Sequence, residues 1–372
     1  MKKTAPPLAL FVAPFVAGCS AAPLEAPPST NASWAPLHGA VPVDELIQPG
    51  EVHFAHLWQL TRGGNNAEGY FSFEGDQISF QRMNPAEGVA CDQIFTLGGA
   101  HGVPQRISNG MGVTTCAYFL PGARSVLFAS THGHMQDCPP PVDHSQGYAW
   151  AVRPEFDLYV RDLDTGALRQ LTDVWGYDAE CTISPRGDRM VFTSTRSGDL
   201  ELWSARLDGT DLVQLTDTLG YDGGAFYSHD GKSIVFRSTI FDPARLAEEE
   251  ARYRDLLAQW KVRPHALEIQ LMAADGSNRR QVTHLGGANF APFFFPDDRR
   301  IVFASNHHEL SARNFDLFAI GVDGADLERV TTYDGFDAFP MFRPDGRYLV
   351  FASNRGGTEP GETNLFLAEW RG

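Results

Sequence analysis

One pattern constrains this chain more than any other, a unit repeated six times. A polar strand ending in an aliphatic residue followed by Thr or Ser recurs at Leu60-Thr61, Ile107-Ser108, Leu171-Thr172, Leu215-Thr216, Val282-Thr283 and Val330-Thr331. Some 19 or 20 residues later comes an apolar strand centred on Phe80, Phe128, Phe192, Phe236, Phe303 or Phe351. Tight turns separate the two, clearest at Ser184-Pro185-Arg186-Gly187, His229-Asp230-Gly231 and Pro344-Asp345-Gly346. Gly takes positive φ at little cost, so Pro and Asp-Gly pairs suit such hairpins. A third strand follows each Phe strand, and a further turn leads back to the next Thr. Four strands per unit, repeated with a period of 44–48 residues, predict radial repetition of four-stranded sheets.

Closure is legible too. The sixth unit has three strands before the chain ends, and the segment His53–Thr61 supplies its missing fourth. Such pairing removes a free sheet edge. The expected fold is therefore all-β: a six-bladed β-propeller over residues 51–372, its last blade closed by the N-terminal strand, with one helical insertion in blade 4.

The repeat resembles that of TolB-type propellers, also found in the propellers of prolyl-oligopeptidase-like enzymes. Gly176-Tyr177-Asp178-Ala179-Glu180, Gly220-Tyr221-Asp222-Gly223-Gly224 and the stretch 360–370 resemble more closely still a group of secreted TolB-like proteins of unassigned function. The resemblance implies binding of proteins or peptides, in a Tol–Pal-like system of envelope integrity or translocation. Two departures qualify it. TolB carries an α/β domain before its propeller, whereas a tether is expected here, and no room remains for a hydrolase domain. Fold does not fix function.

The first residues read as an export signal. Lys2 and Lys3 precede a short apolar run, Leu8–Val16, and Val16-Ala17-Gly18-Cys19 matches the lipobox of bacterial lipoproteins. Residues 1–18 are thus expected to be removed, Cys19 to be lipidated and 19–50 to be a flexible tether rich in Pro, Ala and Ser. Ser20 after the cysteine implies the outer membrane, facing the periplasm. The net charge of −16 disfavours nucleic acid as a partner and favours basic proteins or cations. Cys91, Cys116, Cys138 and Cys181 remain, and an exported chain can oxidise them; three pairings are open.

Topology narrows the search for a site. The long insertions, Thr131–Glu155, Thr239–Ala266 and Asn354–Thr363, all join the second and third strands of a blade, so they share one face. Loops of unusual length on one face usually carry function. Pro243–Trp260 is expected to be a helix with Leu246, Tyr253, Leu256, Leu257 and Trp260 on one stripe. On the same face the crossovers between blades bring Asn66, Val113, Asp178, Asp222, Asn289 and Asp337 toward the axis. Two residues on stand Glu68, Thr115, Glu180, Gly224, Ala291 and Phe339. These predict an acidic collar, with oxygen ligands suited to Ca²⁺ or to a basic peptide end. Arg196 and Arg355, each following a second strand, are expected to pair with collar carboxylates across the blade interface. His132, His134 and His307, with Asp137, His144 and His308 nearby, form a candidate Zn²⁺ set.

No Gly-x-Ser-x-Gly, His-Glu-x-x-His or phosphate-binding Gly loop is present in the sequence. The leading expectation is a binding module. The alternative is a metal-assisted hydrolase or lyase acting on an envelope peptide or polysaccharide.

Overall fold

The computed structural model describes Leu37 and residues 39–99, 101–145, 147–310 and 314–372. The expected signal peptide and Cys19 lie outside the described residues. Each of the six repeats is its own antiparallel sheet, arranged as a six-bladed propeller. The inner strands are Asn65–Phe71, Thr114–Phe119, Asp178–Ile183, Asp222–Tyr227, Asn289–Phe294 and Asp337–Phe342. Among the described residues no helix is long and apolar enough to cross a membrane.

The repeated residues each have a physical task. The six central Phe side chains are buried, and they form the sandwich between successive blades. Four of them also meet an aromatic of the third strand in the same sheet: Phe80 with Phe95, Phe128 with Tyr159, Phe303 with Phe318 and Phe351 with Phe366. The repeated Thr or Ser sits where the outer strand leaves its sheet. There its hydroxyl accepts a third-strand backbone N–H: Leu365 to Thr61, Ile94 to Ser108, Leu158 to Thr172, Leu202 to Thr216, Ile269 to Thr283 and Leu317 to Thr331, all at 2.8–3.0 Å. The same hydroxyl donates to a polar side chain at one register of the third strand: Asn364, Gln93, Asp157, Glu201, Glu268 and Asp316. A buried N–H is thereby satisfied once per blade, which explains why the sequence signal is so regular.

The ring closes as the repeat phase predicts. Phe54–Gln59 pairs with Asn364–Trp370, completing the blade whose other strands are Tyr348–Ser353 and Asp337–Phe342. The end of the segment expected to be a tether, residues 19–50, is instead folded. Val41–Pro42 adds to this blade as a fifth strand, and Leu46 and Ile47 pack on the core. Glu51, also buried, accepts two bonds from the fully buried Arg355 guanidinium at 2.9 and 3.1 Å, and Arg355 also holds Asp337 at 2.7 Å. The last residues of a Pro-rich segment are therefore anchored, because one carboxylate and two aliphatic side chains find buried partners.

The two long insertions are not separate loops. Trp150–Ala151 from blade 2 pairs with Lys261–Val262 from blade 4 in a small ribbon. The helix of the blade 4 insertion is shorter than expected, Leu246–Leu257. Tyr253 is its buried anchor, and its hydroxyl donates to Asp199. Leu246 is exposed, and Trp260 lies beyond the helix at φ 57°.

Glu51→Ala would leave Arg355 buried with one carboxylate fewer. It is expected to cost about 3–5 kcal/mol in chemical denaturation, whereas Val52→Ala, at the exposed neighbour, changes little.

Candidate functional site

The first collar register holds the ring together. Four of the six inner strands begin by donating a backbone N–H to the preceding blade: Asn66 to Thr363, Asp178 to Phe156, Asp222 to Leu200 and Asp337 to Phe315. The side chains at these positions are buried and already partnered. Asp178 pairs with Arg196 at 2.7 Å, Asp222 with Arg279 at 2.8 Å and Asp337 with Arg355 at 2.7 Å. Asn289 donates to the Leu267 carbonyl at 2.8 Å and accepts from Ser305 at 2.6 Å. This corrects the expectation of a ligand-binding collar at Asp178, Asp222, Asn289 and Asp337. A carboxylate taken out of water needs a cation or several donors, and the fold supplies them from within. Arg196 and Arg355 also pair inside their own blades, not across an interface, since each follows the strand that neighbours its partner's strand.

The second register does reach the axis. Glu68, Cys116, Glu180, Gly224, Ala291 and Phe339 all have left-handed backbone, with φ between 50° and 59°. Each sits at a bulge in its inner strand, shown by the register shifts there. In blade 2 both registers fall one residue later than expected, at Thr114 and Cys116 instead of Val113 and Thr115, because its inner strand starts at Thr114. Five non-Gly residues in this conformation are a repeated cost, and such strain concentrates where a fold aims side chains.

At the axis Glu180 is the hub. It accepts from Arg237 at 2.9 and 3.0 Å, from Tyr177 at 3.1 Å, from Thr193 at 3.2 Å and from the Gly224 amide at 2.6 Å, and Tyr221 also donates to it. The Arg237 guanidinium lies 4.6 Å from the Tyr221 ring centroid and 5.4 Å from that of Trp150. Trp150 belongs to the ribbon joining the two insertions, so the insertions roof the axis. Beneath, Tyr70 and Phe293 pack on Phe226 at 5.4 and 5.3 Å, with Tyr118 beside them. Glu68 accepts from Tyr70 at 3.3 Å, and burial pushes its carboxyl up to about 7. Burial likewise raises the Cys116 thiol well above its ordinary range.

Neither Arg237 nor Trp150 is apparent from the repeat. Trp150 lies in an insertion with no counterpart in other blades. Arg237 did leave a trace: it is the only charged residue at its register, where Gln81, Ala129, Thr193, Ala304 and Ala352 stand in the other blades.

The histidines do not assemble a metal centre. His132 bonds Ser130 at 2.7 Å and packs on Tyr159, His134 bonds Asp157 at 3.0 Å, and His307 bonds Ser305 at 2.9 Å and packs on Phe318. His132 and His307 follow equivalent strands of different blades, where an imidazole bonds the last Ser of the strand. Among the described residues no three His, Cys, Asp or Glu side chains are grouped to hold a metal ion. The expected Zn²⁺ set at His132, His134 and His307 is therefore not brought together.

The insertion-bearing face is braced from outside the axis. Cys91 and Cys138 form a disulfide that ties the blade 2 insertion to blade 1, leaving Cys116 and Cys181 reduced. The Gly112 amide bonds the Gln136 carbonyl of the same insertion at 2.8 Å. On this frame Trp175 is 61% exposed, edge-on to His134 at 5.7 Å, and Tyr148 is 56% exposed, stacked on His144 at 5.3 Å. The Trp150 indole donates to the Tyr148 hydroxyl at 3.2 Å, which connects this surface to the roof.

Comparison with known proteins bears on the fold. Residues 256–360 match the TolB beta propeller domain family. Among solved structures, TolB from Acinetobacter baumannii superposes with a TM-score of 0.55 at 18% identity, over 81% of this chain and 66% of that one. A gluconolactonase from Xanthomonas campestris superposes with a TM-score of 0.56 at 12% identity, over 91% of this chain and 99% of that one. No curated protein matches the chain in sequence. The chain thus spans somewhat under two thirds of the length of TolB, and identities this low establish a shared fold alone.

Glu68 gives a pH signature. Its folded value of about 7 exceeds the ordinary 4.5, so the native state holds this proton more tightly than the unfolded chain. Its contribution is most favourable below the unfolded value and is lost as pH rises through about 7. Glu68→Gln is expected to lose less thermal stability than the parent between about pH 5 and about pH 8; identical melting curves across that range would contradict the assignment.

Proposed function

We propose that this TolB-like six-bladed propeller is an exported, lipid-anchored scaffold of the cell envelope. It binds an envelope protein or peptide on its insertion-bearing face, in a Tol–Pal-like system. The address rests on the Lys2-Lys3 start, the apolar run and the lipobox ending at Cys19. The reading of a binder rests on one observation above the others. The insertion-bearing face presents Trp175 and Tyr148 largely exposed, on a frame braced by a disulfide and a two-stranded ribbon. Large aromatic side chains held on a rigid frame lose little entropy on docking and dominate many interfaces. The acidic balance of the chain favours a partner with a basic surface. The collar carboxylates do not enter this reading, because they are consumed by ion pairs of the fold.

The test is a paired capture. The mature chain lacking its acyl group and its Trp175→Ala/Tyr148→Ala variant are used as baits against envelope extract. Any partner retained by the parent is expected to bind the variant at least about tenfold more weakly, the loss typical of central aromatic anchors. Circular dichroism and melting temperature serve to confirm that the variant is folded. Equal retention of every partner would remove this face from the proposal.

A further inference from the structure

The six left-handed residues lie at the centre of the ring, beneath the Trp150 roof and above the Tyr70–Phe226–Phe293 floor. Glu68, Cys116, Gly224 and Phe339 nevertheless keep accessible surface. Partly accessible side chains from four blades around one axis point to a chamber there. Its walls differ in chemistry. Blades 1 to 4 contribute Glu68, Cys116, Glu180 and the phenols of Tyr70, Tyr177 and Tyr221. Blades 5 and 6 contribute an aromatic wall: Phe290 packs on Phe315 at 5.3 Å and on Phe339 at 5.7 Å, and Phe336 stands beside Phe339.

One carboxyl of the chamber has no ion-pair partner. Arg237 is matched to Glu180. Among the described residues Glu68 has no cation in salt-bridge contact; its partners are Tyr70 and Cys116. The fold also shows that a cation is accommodated there. The Arg237 guanidinium is stacked between Tyr221 and Trp150 while bonded to Glu180, the arrangement by which aromatic cages hold organic cations. An anion would face two carboxyls. A metal ion would lack ligands, since no group of three metal-binding side chains exists among the described residues.

We propose that the axial chamber binds a small organic cation, a primary ammonium carried on an aromatic body, with the ammonium at Glu68 and the body against Phe290 and Phe339. The chamber does not include Trp175 of the docking face, so substitution there separates the two readings.

Phenethylamine is a suitable probe, with 2-phenylethanol as its uncharged counterpart of the same shape. Titration calorimetry on the mature chain is expected to show one site for the amine and at least about tenfold weaker binding of the alcohol, the difference contributed by the charge. Glu68→Gln is expected to weaken the amine by a similar factor without lowering the melting temperature, since it removes a carboxyl that burial disfavours. The amine is also expected to slow modification of Cys116 by methyl methanethiosulfonate, measured by peptide mass spectrometry. The Trp175→Ala variant should bind the amine as the parent does. Absence of binding at millimolar amine, equal binding of amine and alcohol, or unchanged affinity in Glu68→Gln would each overturn the proposal.

Discussion

A propeller is stable only if its ring closes, and here closure turns on a guanidinium with no exposure to water. Arg355 holds Asp337 within its own blade and Glu51 from the segment that enters the N-terminal strand. The two carboxylates lie at opposite ends of the propeller sequence, so the ion pairs join the termini through side chains while strand pairing joins them through backbone. Desolvating such a group is expensive unless every charge is matched. The arrangement therefore penalises any open ring in which Glu51 has left. Everything at the axis depends on this closure, because the left-handed residues of six blades converge only when the sixth blade is complete.

The same economy explains why the outer collar and the axis differ. At the start of each inner strand, polar side chains stitch a blade to its neighbour and to its own second strand. Two residues later the bulges turn the chain inward, and the side chains there are free to differ. Glu68, Cys116, Glu180, Gly224, Ala291 and Phe339 share a backbone conformation but no common chemistry. A position repeated in type serves the ring, whereas one repeated only in backbone leaves its chemistry open for something specific to this protein. The roof supports that distinction. Trp150 arrives from an insertion without a counterpart in other blades and covers Arg237, itself unlike its equivalents.

Blade number, strand order and closure were legible because the physics repeats. Six Phe positions must be buried and six Thr or Ser hydroxyls must satisfy a third-strand amide, so the pattern is written six times. The site was less legible. Asp178, Asp222 and Asp337 look like ligands in a linear chain; Arg196 and Arg355 were legible as partners of collar carboxylates but not as partners within their own blades, and Arg279 was not legible as one. His132 and His307 look like metal ligands until each is seen bonded to the Ser two residues before it. The inner strand of blade 2 starts at Thr114, one residue later than the expected register. Nor does composition reveal that the end of a Pro-rich stretch is anchored by Glu51.

The sequence by itself determined the six-bladed architecture, the shared closing blade and the face that carries the insertions, since these follow from local periodicity and from the order of elements along the chain. Tertiary structure alone decided that Cys91 and Cys138 form a disulfide while Cys116 and Cys181 stay free, that two insertions meet in one ribbon over the axis, and which charged side chains are spent on the fold. The reason is distance along the chain. Cys91 and Cys138, Trp150 and Val262, and Glu51 and Arg355 are neighbours only after the ring has closed, and no local pattern encodes a contact that the closure itself creates.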